Sequence, residues 1–259
     1  MGKVIGIANQ KGGVGKTTTA INLAASLAVA DQKTLLVDCD SQGNATSGVG
    51  IRKEDLGAKN LYRGLIRETG IDELIHSTEI SNLQVIPSNV DLAGAEIELI
   101  GVEDRERRLA TLLAPVVDAY DFIIIDCPPS LGILTVNVLS AADSVIVPLQ
   151  CEYYALEGLG QFLNTYNRIR QSFNPRLTIE GILLTMFDKR NNLTRQVSEE
   201  ARRHFNSMIF NTYIPRNVRL GESPSFGKPI ILYDITSPGA QSYLSLAQEI
   251  LKKHDSRNR

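Results

Sequence analysis

Residues Lys11-Gly12-Gly13-Val14-Gly15-Lys16-Thr17-Thr18 follow the apolar run Val4-Ile5-Gly6-Ile7-Ala8 and open the small-residue stretch Thr19-Ala20-Ile21-Asn22-Leu23-Ala24-Ala25. A strand, a glycine-rich turn and a helix start in that order commit the chain to a unit whose loop amides converge on one point. That point suits an anion, because unpaired N–H groups and a helix N-terminus carrying about half a positive charge face it together. The pattern predicts a nucleotide-phosphate site made by Lys11, Gly12, Gly13, Val14, Gly15, Lys16, Thr17 and Thr18, with Lys16 on the β- and γ-phosphates and the Thr17 hydroxyl on Mg2+. The standard loop has a glycine five residues before Gly15; here that place is taken by Gln10, and a second lysine, Lys11, follows it. Two cations therefore flank a loop that needs one.

The rest of the chain fits an α/β fold. Apolar runs at Val4–Ala8, Thr34–Asp38, Leu83–Pro87, Phe122–Asp126, Ser144–Leu149, Ile179–Thr185 and Tyr213–Pro215 read as strands. Several are apolar at successive positions, as in Phe122-Ile123-Ile124-Ile125, which is the pattern of strands covered on both faces. Helical patterns alternate with them at Thr17–Ala30, Arg105–Tyr120, Leu134–Ala142, Leu156–Gln171, Leu193–Phe205 and Gly239–Lys252. This alternation predicts a doubly wound, mainly parallel sheet flanked by helices, with ligands at the carboxyl ends of the strands. With 259 residues and no linker or repeat, the chain reads as a single domain, residues 255–259 being a frayed tail.

Two acidic strand ends belong to the expected site. Asp126 closes Phe122-Ile123-Ile124-Ile125 and, beside the glycine-rich loop, is placed to hold Mg2+; otherwise it caps the turn that follows. Asp38 and Asp40 lie two residues apart at the end of Leu35-Leu36-Val37, and so on one side. Asp40, further out, suits the orientation of an attacking water, and Asp38 is a possible metal ligand; the alternative is a pair of loop-capping acids. The net charge of −2 conceals an uneven distribution: residues 186–228 carry eight Lys and Arg against four Asp and Glu, which leaves the remainder at −6. A basic region on an acidic body suggests an anion-binding face, or charges that are simply solvated.

Longer motifs add a resemblance. Ala8-Asn9-Gln10-Lys11-Gly12-Gly13, Asp126-Cys127-Pro128-Pro129-Ser130-Leu131-Gly132, Gln150-Cys151-Glu152-Tyr153-Tyr154-Ala155-Leu156-Glu157-Gly158 and Ile214-Pro215-Arg216-Asn217-Val218-Arg219-Leu220 resemble the chromosomal ParA, or Soj, proteins over essentially the whole chain. These are P-loop ATPases of the deviant Walker-A group, to which MinD and the nitrogenase iron protein also belong. The resemblance implies an Mg2+-dependent ATPase whose ATP-bound sandwich homodimer binds DNA without sequence preference. Hydrolysis would be stimulated by a ParB-type partner during partition of a chromosome or plasmid. It also implies that Lys11 reaches the nucleotide across the dimer, that Asp40 is required for hydrolysis, and that Pro215 and Asn217 border the adenine. The bland reading of these last two is a turn proline with a backbone-bonding Asn. Arg190 and Arg219 match the family's DNA-contacting positions, with Lys189, Arg195 and Arg216 close by. Ser41 stands where the family carries proline, which loosens the backbone after Asp40.

Other classes fit less well. The absence of a basic segment with a following apolar run and cleavage site leads to an expected cytoplasmic protein, and the family resemblance implies association with the nucleoid. The short stretch before Lys11 resembles the short ParA type, without an operator-binding extension. A MinD-like membrane-surface ATPase is the alternative; it calls for a basic amphipathic last helix, whereas Leu244–Lys253 has no bulky aromatic anchor. An iron–sulfur carrier needs paired interface cysteines, but Cys39, Cys127 and Cys151 read as small buried hydrophobes.

Overall fold

The computed structural model describes residues 2–257. Seven strands, β1 (Lys3–Ile7), β2 (Thr34–Asp38), β3 (His76–Ser77), β4 (Leu83–Ile86), β5 (Phe122–Asp126), β6 (Ser144–Gln150) and β7 (Thr178–Thr185), form one sheet in the order β3-β4-β2-β5-β1-β6-β7. Every neighbouring pair is parallel except β3 with β4. The period of two along each strand divides the apolar side chains between two cores. Leu35, Val37, Ile123, Ile125, Val145 and Val147 face one core, under helices Ile133–Ala141 and Ala155–Ser172. Leu36, Phe122, Ile124 and Ile146 face the other, where helix Lys16–Val29 packs with the last helix, Pro238–Arg257. Both faces are dry, which explains the unbroken apolar runs in the sequence.

β5 lies between β2 and β1, and the register fixes the site: Asp126 is level with Ile7 on one side and with Asp38 on the other. Thus the glycine-rich loop after β1 and both acidic strand ends emerge at the same edge of the sheet.

Three expected elements differ. Tyr213–Pro215 is not a strand; it makes only an isolated parallel bridge, Phe187 to Pro215, because proline lacks the N–H that would continue a ladder. The pattern Arg105–Tyr120 is broken into a 3-10 turn, helix Arg108–Leu113 and a second 3-10 turn, Pro115 falling just after the helix. The seventh strand is instead the two-residue antiparallel β3, too short to leave a periodic signal. The last helix runs through Arg257, so Asp255–Arg257 of the expected tail are helical, and Asn258 and Arg259 lie outside the described residues.

Gly181, in β7, is packed against the buried ring of Phe210, and a Cβ there would fall inside van der Waals contact with that ring. Gly181→Ala is expected to cost about 1–3 kcal/mol by overpacking. Gly160→Ala, in helix Ala155–Ser172 with open space around it, should stabilise by roughly 0.5–1 kcal/mol. Urea unfolding of both variants checks the pair; equal midpoints would contradict this packing.

Candidate functional site

The loop between β1 and helix Lys16–Val29 turns through Gly13 and Gly15, at φ 73° and 88°, where a side chain would be strained. Thr185 on β7 donates its hydroxyl to the Val14 carbonyl at 2.8 Å and pins the far side of the loop. Asn9 anchors the near side: its Nδ2 donates to the Pro148 carbonyl at 2.7 Å and its Oδ1 accepts from the Lys11 N–H at 3.0 Å. The Thr19 N–H bonds the Gly15 carbonyl at 2.9 Å, so the amides ahead of it are outside that ladder and remain open to an anion. Lys16 is buried and lays its ammonium on the Lys11 carbonyl at 3.0 Å. Burial lowers its pKa, against the opposing pull of Cys127, Asp126 and Asp40.

The two strand-end acids have different surroundings. Asp38 accepts from the Thr46 N–H and hydroxyl, both at 2.7 Å, and from the Asp40 N–H at 3.1 Å. Burial nevertheless raises its pKa to about 6. Asp126 is fully buried, and neither carboxylate oxygen has a hydrogen-bond partner. Burial first, then the neighbouring Asp38, pushes its pKa well up; the Thr17 hydroxyl and Lys16 oppose this only in part. Of the two, Asp38 is committed to holding the loop after β2, while Asp126 is left for another ligand. Asp40 is half-buried and accepts from the Gln42 N–H at 2.9 Å.

Beside the loop lies a cavity of about 490 Å3, lined by Gly15, Thr18, Met186, Pro215, Asn217 and Tyr243 among others. Asn217 caps the short helix Val218–Glu222 by accepting the Leu220 N–H at 3.3 Å, as a backbone-bonding Asn would, and its side chain also borders the cavity. Met186, in a left-handed conformation at φ 48°, is a wall residue that no sequence signal marked.

Four of the expected basic residues meet at one edge. The Phe187 N–H bonds the Ile214 carbonyl at 2.9 Å and the Arg216 N–H bonds the Phe187 carbonyl at 3.3 Å, joining the Lys189–Arg190 loop to the Arg216–Arg219 segment. Arg216 also lines the cavity, a position its place among the basic residues did not suggest. Arg219 is braced by Glu222 at 2.9 Å and Asp234 at 3.6 Å. Arg195 is exposed on helix Asn192–Phe205, alongside the exposed Arg202 and Arg203.

Lys11 pairs with Glu152 of its own chain at 2.6 Å. Glu152 follows β6 and is steadied by Gln150, whose Nε2 donates to it at 2.5 Å. Next to it Tyr153 and Tyr154 are 77% and 67% exposed and stack edge to face. All three cysteines are buried; burial pushes Cys127 to about 12 and Cys151 to about 11, as suits unreactive packing thiols.

A family model described as an AAA domain matches residues 2–179. The chain is 58% identical, over 98% of its length and 89% of the relative's, to the chromosome partitioning protein ParA of Myxococcus xanthus. It is 56% identical to the sporulation initiation inhibitor protein Soj of Bacillus subtilis, covering 96% of this chain and 98% of that one. A solved structure described as cobyrinic acid a,c-diamide synthase from Mycobacterium smegmatis, with bound ATP analog and magnesium, superposes with a TM-score of 0.87 at 36% identity, covering 100% of this chain and 98% of that chain. The glycine-rich loop with its extra lysine, the sheet order and these relatives over nearly the full length agree: the chain belongs to the ParA/Soj family of partitioning ATPases.

Proposed function

We propose that this protein is an Mg2+-dependent ATPase that dimerises on ATP, binds DNA without sequence preference and is switched off DNA when a ParB-type partner stimulates hydrolysis. The observation that carries the reading is Asp126: a fully buried carboxylate with both oxygens unpartnered, at the foot of an anion-binding loop and beside Lys16. A bare buried carboxylate is costly and calls for a cation. The residues fit Mg2+, a hard ion that takes oxygen ligands and commonly shares them with substrate phosphates. No cluster of three or more His, Cys, Asp or Glu side chains cages a metal among the described residues, which agrees with an ion brought in with phosphates. Thr17 and Asp126 would hold it, and it would neutralise charge on the transferred phosphoryl group.

The remaining groups have roles in that scheme. The loop amides and Lys16 hold the β- and γ-phosphates. Pro215 packs on the adenine while Asn217, its oxygen spent on the cap, offers amide hydrogens to the base. Asp40 orients water, helped by the fixed position of Asp38 under Thr46. Lys11 leaves Glu152 and reaches the partner's nucleotide, and the exposed Tyr153–Tyr154 pair supplies apolar surface beside it. Lys189, Arg190, Arg195, Arg216 and Arg219 furnish DNA contacts. The packing of the last helix speaks against the membrane-surface alternative: it spends Tyr243, Leu246, Ala247 and Ile250 on the core.

The deciding experiment is binding to unrelated duplexes with ATP, with ADP and without nucleotide, across a salt series. Binding should need ATP, ignore sequence and be lost in Lys11→Ala, which still takes up nucleotide through Lys16. Arg190→Ala and Arg219→Ala should each flatten the slope of log K against log salt by about 0.9 per lost phosphate contact. Sequence-selective loss, or wild-type slopes in both, would move the DNA surface elsewhere.

Asp40→Ala should bind ATP normally but hydrolyse it roughly 10²–10⁴-fold more slowly. Single-turnover phosphate release measures this, and an unchanged rate would remove Asp40 from the chemistry.

The acidic pair predicts a pH dependence. A carboxyl whose folded pKa is raised keeps its proton where the unfolded chain has lost it, so stability is greatest at low pH and declines as pH rises. For Asp38 the decline lies between about pH 4 and its folded value of about 6, and for Asp126 it extends higher. Without Mg2+, Asp126→Asn should therefore show a flatter profile of melting temperature against pH than the wild type. It should also lose most of the stabilisation that Mg2+ with ATP gives the wild type at neutral pH. Parallel profiles would show that Asp126 is not the uncompensated charge.

A further inference from the structure

A second cavity, of about 310 Å3, shares no lining residue with the nucleotide site. It lies between helix Leu61–Leu65, the loop that leads to Ile71, and helix Arg108–Leu113. Leu65, Ile71, Leu112 and Pro115 form an apolar wall, and Arg67 and Arg108 bring two guanidinium groups to it. Neither arginine has an ion-pair partner among the described residues. The carboxylate on the wall, Glu68, is already clasped by Arg63.

Three observations make this arrangement unusual. The Nε of Arg108 is buried and has no hydrogen-bond partner, an uncommon state for a charged donor. The two arginines repel: burial lowers the pKa of Arg108, and the charge of Arg67 lowers it further, against a weaker opposing pull from Asp104. Arg67 is also held in a left-handed conformation at φ 65°, a conformation that disfavours a long side chain, by a turn in which its N–H bonds the Gly64 carbonyl at 3.1 Å. The turn fixes the Arg67 backbone at the rim of the cavity whose wall Arg108 shares, so both side chains start from the same small volume.

We propose that this cavity binds a small organic phosphate, its dianionic group clasped between Arg67 and Arg108 and its carbon portion laid on the apolar wall. The planar forks of two guanidiniums match the oxygens of one phosphate, and the ligand's charge cancels the repulsion between them. The volume is at the lower end of the range for small-molecule sites, enough for a phosphate carrying a carbon portion of modest size.

A titration of 15N-labelled protein, read residue by residue, separates this site from the glycine-rich loop, which also binds phosphate. Inorganic phosphate and butyl phosphate serve as probes, with chloride at matched ionic strength as the control. Amides of residues 67–71 should shift saturably, with a midpoint different from that of residues 12–18, and butyl phosphate should bind more tightly there than inorganic phosphate. Arg67→Gln and Arg108→Gln should each weaken binding about 10-fold or more at residues 67–71 and leave the shifts at residues 12–18 unchanged. Arg67 is exposed, so its variant decides the matter should Arg108→Gln fold poorly. Shifts confined to residues 12–18, equal affinity in the variants, or no gain from the butyl group would overturn the proposal. So would a response to a glutamate-rich peptide with none to either phosphate, which would make the pocket a protein-docking point.

Discussion

Two carboxylates buried at the same level on adjacent strands set the terms for the rest of this molecule. Asp38 and Asp126 are register partners on β2 and β5, in a sheet whose two faces exclude water. Like charges so placed cannot both ionise cheaply, so each needs its own compensation. Asp38 finds part of it within the protein: Thr46 and the Asp40 N–H donate hydrogen bonds to it, and Thr46 in turn accepts the Ser88 N–H at 2.8 Å, tying the loop after β2 to the loop after β4. Asp126 has only the partial help of the Thr17 hydroxyl and Lys16. The Asp126 carboxylate is thus left unsatisfied where a cation and phosphates are proposed to enter.

What was legible in the sequence is what depends on near neighbours. The glycine-rich loop needs left-handed turns at Gly13 and Gly15, and the residues that allow them are written consecutively. The strands β1, β2, β5, β6 and β7 are unbroken apolar runs because the sheet is dry on both faces. What was not legible depends on partners distant in the chain. Glu152, 141 residues from Lys11, becomes its counter-ion only when β1 and β6 lie side by side. Tyr213–Pro215 has the composition of a strand, yet the last of its residues cannot donate. Arg216 belongs to a basic stretch by composition and to the nucleotide cavity by position, since one bridge at Phe187 draws it there.

That same bridge joins the two halves of the proposed function. Met186 and Pro215 wall the cavity, while Lys189, Arg190 and Arg219 stand a few residues further along the same two segments. The Phe187 and Tyr213 rings pack 4.7 Å apart at the junction, and Lys189 sits over the Tyr213 ring at 5.2 Å. In the proposed scheme a base against Pro215 and Met186 would touch the same two segments that carry these cations. Nucleotide and DNA would then need no long relay, since both meet one loop pair.

The energetics of Lys11 favour a switch over a lock. Its pair with Glu152 is short, but the two side chains are 36% and 48% exposed. Ion pairs so open to water contribute about 0–1 kcal/mol, because each charge is nearly as well solvated apart. The partner's nucleotide, in the sandwich dimer, would offer the same ammonium a multiply charged site from which the closing interface excludes water, where a charge-assisted hydrogen bond is worth more. The weak pair costs little to open, yet it keeps the lysine extended along the face where a second copy would arrive, beside the exposed Tyr153 and Tyr154. Glu152 therefore holds Lys11 without competing strongly for it, and in the proposed sandwich dimer the direction of exchange would be set by whether a triphosphate waits on the other side.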